Sequence, residues 1–330
     1  MTTIHDVARE ADVGVGTVSR VLSGGHRVAP ATRAKVEATI ARLGYRPRSA
    51  AQALSRGRTN LIELVLPLVT RHFYVEVLSG VAAALADADF GLRISIVATQ
   101  EERARVFARM GDPRRADGVL LVSLAPPAEL AARATTPLVG IDVVHPALPS
   151  IAVDHAAAMR AVVQHLTALG HRRIALIDRP DDPFAVEIAT ERGDGFVQAM
   201  TARGLDPAVQ SIAYSPEAGS AAVRDLLTRP TPPTAIVTGS DTQAIGVIAG
   251  LRQQGVRIPE EISVVGYHDI ELAAYLGLTT MRVPMAAMGR QGAERLLAQL
   301  RGEAADHSTV RLPARLVVRR TTAAAPRGDA

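Results

Sequence analysis

With 330 residues, 48% of them hydrophobic and 21% charged, the chain has room for two or three packed domains and is too apolar to be disordered. It has no cysteine, which excludes disulfides, thiolate metal sites and a cysteine nucleophile and fits a reducing cytoplasm; aromatic residues at 3% are too few for a base-stacking platform. The net charge of +4 is unevenly placed, because residues 1–58 hold ten Arg or Lys against four Asp or Glu while the rest holds 27 against 29, and this points to a polyanion-binding head on a near-neutral body.

The N-terminal segment carries Asp6, Glu10 and Asp12 with no apolar stretch, so it does not read as a secretory leader. Thr3 and Asp6 have capping-box spacing, and Ile4, Val7, Ala8 and Ala11 share one face, which predicts a short helix over 3–11. Asp12-Val13-Gly14 breaks it. A second short helix runs from Val15 to Leu22, and Ser23-Gly24-Gly25 ends it. Pro30 opens a third over about 30–43, with Val36, Ile40 and Leu43 inward and Gly44 as its C-cap. This is the layout of a helix-turn-helix head, placed at 1–46. Residues 47–60 form a polar, basic bridge in which Ser49 can cap a marginal helix through Leu54.

From Leu61 short apolar runs alternate with Ala-rich helical stretches: LIELVLP, LRISIVAT, GVLLV, PLVGID, SIAVD, RIALID, SIAYS, AIVTG, ISVVGYH and RLVV. Strand–helix alternation with continuously apolar strands predicts parallel, doubly wound sheets. Some ten strands over this length predict two α/β lobes, with ligands at the carboxyl ends of strands or in the cleft between lobes. No apolar run reaches the ~18 residues of a spanning helix, so no membrane partner is expected.

Enzyme signatures are missing. Gly14-Val15-Gly16 lies inside the head with no strand before it, which is not a dinucleotide turn. No nucleophile elbow occurs, and the nine histidines show no metal spacing. Neither a cofactor nor a metal site is expected, and the chain is not expected to be an enzyme.

The head carries the runs T-I-x-D-V-A-x-x-A-x-V, T-V-S-R-V-L, V-x-x-x-T-R-x-K-V, L-G-Y-x-P and A-x-x-L, and the body GHRRIALI, R-x-x-G-F, DTQAIGVIAGLRQQGVRIPEEISVVGYHD, LTTMRVP and RLVVRR. In these the chain resembles the lac repressor family of bacterial transcription factors (LacI/GalR type), and the resemblance covers nearly the whole chain. It implies an all-α head, a hinge helix at 47–60 and a core at 61–330 like periplasmic sugar-binding proteins, with two lobes joined by three crossovers. The N-terminal lobe takes about 61–158 plus 285–320, and the C-terminal lobe about 159–284. It also implies a cytoplasmic, nucleoid-associated repressor that binds a pseudo-palindromic duplex operator as a homodimer, switched by a small carbohydrate-like effector. The tail has no apolar heptad, so no tetramerising coiled coil is expected. The alternative is a DNA-binding regulator whose core ignores small ligands or takes a protein partner instead.

By the same resemblance, Val15, Gly16, Thr17, Ser19 and Arg20 face base edges, and Arg20 has the fork for guanine. Gly16 has no side chain, so Arg20 carries more of the readout. Thr3, His26, Arg27, Thr32 and Tyr45 match phosphate contacts. Leu54 matches a leucine that wedges into the minor groove, and Ala53 lets paired hinge helices approach; Arg48 replaces a common asparagine. Gly14 and Ala29 stand where serine caps are common, at a cost of about 1 kcal/mol for an alanine cap. In the cleft, Arg192 matches the effector-gripping arginine and Tyr214 a stacking aromatic. Ser240 and Asp241 follow a strand end, His72, Phe73 and Tyr74 follow the first core strand, and Phe184 covers the opening. His268 replaces a common aspartate, and as a donor it favours an acidic, phosphorylated or otherwise atypical ligand.

Overall fold

The computed structural model describes residues 2–22, 28–45, 58–178 and 186–327. The head is three helices, α1 (Ile4–Glu10), α2 (Val15–Leu22) and α3 (Pro30–Leu43). The capping box at α1 is formed: Thr3 Oγ1 accepts from the Asp6 amide at 3.3 Å, and Asp6 accepts from the Thr3 amide at 2.9 Å. At α3, Ala29 supplies no side-chain cap, and Gly44 ends the helix at φ 58°, a left-handed conformation in which glycine is unstrained. Val7, Ala8, Ala11, Val18, Val21 and Val36 make the small core. Thr39 is more deeply buried than the expected Ile40 and Leu43, because its hydroxyl is satisfied by the Lys35 carbonyl at 2.9 Å.

The body holds two six-stranded sheets among the described residues. The first contains β1 (Leu61–Leu66), β2 (Gly91–Ile96), β3 (Gly118–Val122), β4 (Leu138–Ile141), β5 (Ser150–Val153) and β11 (Thr309–Leu312), in the order β11-β5-β4-β3-β1-β2 and parallel throughout. The second contains β6 (Ile174–Asp178), β7 (Ala208–Ser211), β8 (Ala235–Thr238), β9 (Ser263–His268), β10 (Thr279–Arg282) and β12 (Arg315–Val317), in the order β12-β10-β9-β8-β6-β7. Here β12 alone runs antiparallel, against β10. The interleaved helices are α4 (His72–Leu85), α5 (Gln100–Arg109), α6 (Ala128–Arg133), α7 (His155–Ala168), α8 (Val186–Thr201), α9 (Pro216–Leu227), α10 (Asp241–Gln253), α11 (Glu271–Tyr275) and α12 (Met285–Leu300).

The chain passes between the sheets three times: after β5, between β10 and α12, and between β11 and β12. The last passage corrects the expected extent of the first lobe. The returning stretch ends with β11, and Arg315–Val317 joins the second sheet, Thr280 facing Val317 and Arg282 facing Arg315. Only Pro313 and Ala314 separate β11 from β12, too few for the crossover that a parallel pairing needs. The expected strand at SIAYS lies earlier, as β7 at Ala208–Ser211. One apolar core continues from Ile62 and Leu120 on the first sheet to Leu176 and Tyr267 on the second. No described helix is long and apolar enough to cross a membrane.

Candidate functional site

On α2 the candidate base readers divide by exposure. Val18 and Val21 are buried against α1 and α3, while Gly16 and Arg20 are exposed and Val15, Thr17 and Ser19 are half-buried. A side-chain carbon added at Gly16 would lie 3.7 Å from an Arg20 guanidinium nitrogen. The arginine therefore lies back over the bare turn at Gly16, one helical turn before it. Thr3 is exposed, and Thr32 and Tyr45 are half-buried. His26, Arg27, Arg48, Ala53, Leu54 and Phe184 lie outside the described residues.

A cavity of about 500 Å³ opens between the two sheets. Its walls come from carboxyl ends of strands in both: the turn after β1 into α4, Ser123 after β3, Asp142 after β4, the first turn of α10, and His268 closing β9. That is where open parallel sheets place ligands. Of the nine effector candidates, His72, Phe73, Tyr74, Arg192, Tyr214, Ser240 and His268 line it. Among the described residues six non-glycines have positive φ, and Ser123, Asp142, His268 and Asp269 are four of them; such strain collects at functional sites.

Arg192 is 4% exposed and paired with Asp178. Its Nε donates to Asp178 at 2.9 Å and its Nη2 to Asp178 at 3.1 Å, and Nη2 also donates to the Tyr214 hydroxyl. That hydroxyl donates in turn to Asp178 at 2.6 Å. Burial pulls the guanidinium's pKa down, but Asp178 and Tyr214 outweigh it and hold it well above its usual value. Burial pushes the Tyr214 and Tyr267 phenols up, so both stay neutral donors. The Tyr267 ring lies 5.3 Å from the Arg192 guanidinium. Its hydroxyl bonds His155 Nδ1 at 2.7 Å, and His155 Nε2 meets Asp142 at 3.2 Å. This buried chain links the two sheets through the first residue of α7.

One expectation needs correction. Asp241 is absent from the cavity wall and completely buried. Ser240 caps α10, accepting from the Gln243 amide at 3.2 Å, and the next side chain turns beneath the helix. There Asp241 accepts from the Thr280 hydroxyl at 2.6 Å and the Ile270 amide at 2.8 Å, so it fixes the loop that carries His268 and Ile270. His268 lines the cavity, and burial, reinforced by the Arg192 charge, pushes its imidazole down to about 3; a neutral imidazole keeps one N–H to donate.

Burial also pushes the Asp241 carboxyl up from its ordinary 3.8 to about 7, although the Thr280 and Ile270 bonds oppose the shift. Between those values the folded chain keeps a proton that the unfolded chain has lost, so stability falls as pH rises through that window and levels off above it. Asp241→Asn should flatten this slope. The check is the midpoint of thermal unfolding at about pH 5 and about pH 8, where the wild type should lose more than the variant.

Ser123, Asp142, Asp178, His155 and Tyr267 were not among the expected site residues. A signal was present for three: Ser123, Asp142 and Asp178 are each the first polar residue at the end of an apolar run, the place a parallel sheet turns into its ligand edge. Nothing local marks His155 or Tyr267, whose partners are distant in sequence.

Comparison with known proteins agrees with this architecture. The model of the lacI family of bacterial regulatory proteins matches residues 3–48, and that of the periplasmic binding protein-like domain matches 163–322. The HTH-type transcriptional repressor CytR of Escherichia coli is 30% identical over 98% of this chain and 97% of its own. The HTH-type transcriptional regulator CelR of Thermobifida fusca is 33% identical over 96% and 97%. Among solved structures, the lac repressor dimer bound to operator and the anti-inducer ONPF superposes with a TM-score of 0.84 at 29% identity, over 98% of this chain and 99% of that one. The CelR–cellobiose complex gives 0.70 at 30%, over 97% and 100%.

Proposed function

This chain belongs to the lacI family of bacterial regulatory proteins, and from that premise we propose that it is a transcriptional repressor whose operator affinity is set by a sugar or sugar derivative held between its two sheets. The cavity of about 500 Å³ at the joined carboxyl edges of both sheets carries this reading. A ligand there touches both lobes at once, so it can favour one lobe orientation over another, and only such differential contact moves an equilibrium. Asp142 and Ser240 have acceptor capacity for hydroxyls. Two copies bind one two-fold operator, each α2 entering a major groove. Val75, Leu272 and Tyr275 are exposed beside the cavity wall and suit burial in such a pair. The chain works without catalysis, on the nucleoid in the cytoplasm.

Selection of random duplexes on the full chain should return a pseudo-palindrome. Arg20→Ala should weaken the selected site by about 1–3 kcal/mol and relax preference at one symmetric base pair. A loss that is uniform across sequences would instead make Arg20 a phosphate contact. Adding an effector should change operator affinity by about 1–3 kcal/mol, and operator should change effector affinity by the same factor. A core that binds sugars with no effect on the operator titration would refute the switch.

A further inference from the structure

A second charged cluster lies on the first sheet, on the side covered by α5. Phe107 of α5 packs there with Val65 and Val119. Beside that contact is a small cavity of about 50 Å³, lined by Val65, Val119, Glu63 and three arginines, Arg105, Arg109 and Arg115. It shares no lining residue with the cavity between the sheets. Pairing shows which charges are surplus. Glu63 is 5% exposed, and its Oε1 accepts from the Ser95 hydroxyl at 2.5 Å and its Oε2 from Arg93 Nη2 at 2.9 Å. Arg105 is matched by Glu101 at 2.7 Å. Arg115 comes no nearer to Glu63 than 4.0 Å, beyond hydrogen-bond distance. Among the described residues the Arg109 guanidinium has no partner, and Arg93 Nε is buried without an acceptor. The cluster is therefore short of acceptors, and Arg109 and Arg115 are cations with no carboxylate of their own.

The cavity is far below the roughly 300 Å³ at which pockets begin to enclose a whole small molecule, so only a compact group enters it. Two planar donor forks at such a cavity suit a tetrahedral oxyanion. Glu63 and Glu101 are already offset by Arg93 and Arg105, and the two remaining charges match a dianion. We propose that this is a second ligand site, for a phosphate group: free phosphate or the end of a small phosphate monoester, accepting from Arg109 and Arg115. Its place in the chain ties it to DNA binding. Arg115 lies two residues before Asp117, which holds the Thr59 and Asn60 amides at 2.7 and 2.9 Å, and Glu63 lies two residues into β1. A phosphate that fixes Arg115 steadies the turn carrying Asp117 and hence the anchor of the linker, so its binding and operator binding are coupled. The site is independent of what the cavity between the sheets holds.

The test is phosphorus NMR line broadening of methyl phosphate and of inorganic phosphate titrated with the full chain, at constant ionic strength and about pH 8, where a phosphate monoester is a dianion. Both probes should bind saturably. Sulfate should displace them, and acetate should not. Arg109→Gln and Arg115→Gln should each weaken binding about tenfold or more, the scale of one charged hydrogen bond. Arg224→Gln, which removes one charge from α9 on the other sheet, should change nothing. Arg109 is exposed and decides the matter if the Arg115 variant fails to fold. Adding methyl phosphate should change operator affinity about fivefold or more in the wild type and leave it unchanged in Arg109→Gln. No broadening, equal displacement by acetate, or equal loss in all three variants overturns the site. Binding with no effect on the operator titration overturns the coupling to the linker and leaves the site standing. Weaker operator binding by Arg109→Gln in phosphate-free buffer makes the cluster a contact to the DNA backbone and overturns the small ligand.

Discussion

Replacing Arg192 by leucine should cost roughly 3–5 kcal/mol of stability, the loss seen when one partner of a buried ion pair is removed. Asp178 is 1% exposed, and its carboxylate receives both Arg192 nitrogens as well as the Tyr214 hydroxyl. Without the guanidinium a buried carboxylate loses two of its bonds and its counter-charge. Urea unfolding of the full chain measures the loss. The double variant Arg192→Leu with Asp178→Leu should recover much of it, because removing both members leaves no orphaned charge. A single variant within about 1 kcal/mol of wild type would show that the ion pair contributes little to the fold. Effector binding should weaken in the single variant beyond what its stability explains, since Tyr214 loses one of its two hydroxyl partners.

Gly80→Ala should be nearly as damaging, at about 1–3 kcal/mol or somewhat more. A side-chain carbon at Gly80 would lie 1.9 Å from the Ala286 carbonyl oxygen and 2.9 Å from the Arg290 amide. Both are helix backbone, so α4 and α12 must move apart. Gly289 is the reciprocal point, its added carbon falling 2.0 Å from the Val77 carbonyl oxygen. Because α4 begins with His72, Phe73 and Tyr74 on the cavity wall, the displacement should weaken effector binding beyond what the stability loss explains. Gly193→Ala is the control: it sits in α8 with nothing within 4 Å. There alanine should be neutral or stabilising by about 0.5–1 kcal/mol. Thermal unfolding that ranks the two glycines in the opposite order would refute the helix contact.

The head was legible because its signals are local: the Thr3–Asp6 box, Pro30 at a first turn, Gly44 at a last one. The parallel strands were legible because both faces are covered, which leaves runs such as Val119–Val122 with no polar residue. Where that condition lapses the sequence misleads. At the sheet edge β7 alternates between half-buried and exposed positions, and the eye slides to the more apolar residues after it. Asp241 was misassigned because two adjacent residues at one strand end look alike in sequence, yet the first caps the helix at the cavity and the second turns beneath it. The chain Asp142–His155–Tyr267 was invisible for another reason. Its second bond joins residues 112 positions apart, and only the packing of one sheet against the other brings them together.

The linker to the head enters the core at one point. Asp117 accepts from the Thr59 amide and hydroxyl at 2.7 and 2.8 Å and from the Asn60 amide at 2.9 Å, pinning the chain where β1 begins. β1 then runs between β3 and β2, and the chain leaving it forms the cavity turn from Thr70 to Tyr74. Six extended residues make a rod about 20 Å long. A tilt of about 10° imposed at one end of such a rod sweeps its other end through about 3 Å. Being braced on both sides, the rod cannot bend to absorb it. Mechanically the first sheet is then a lever arm, with the cavity turn at one end and the Thr59–Asn60 anchor at the other.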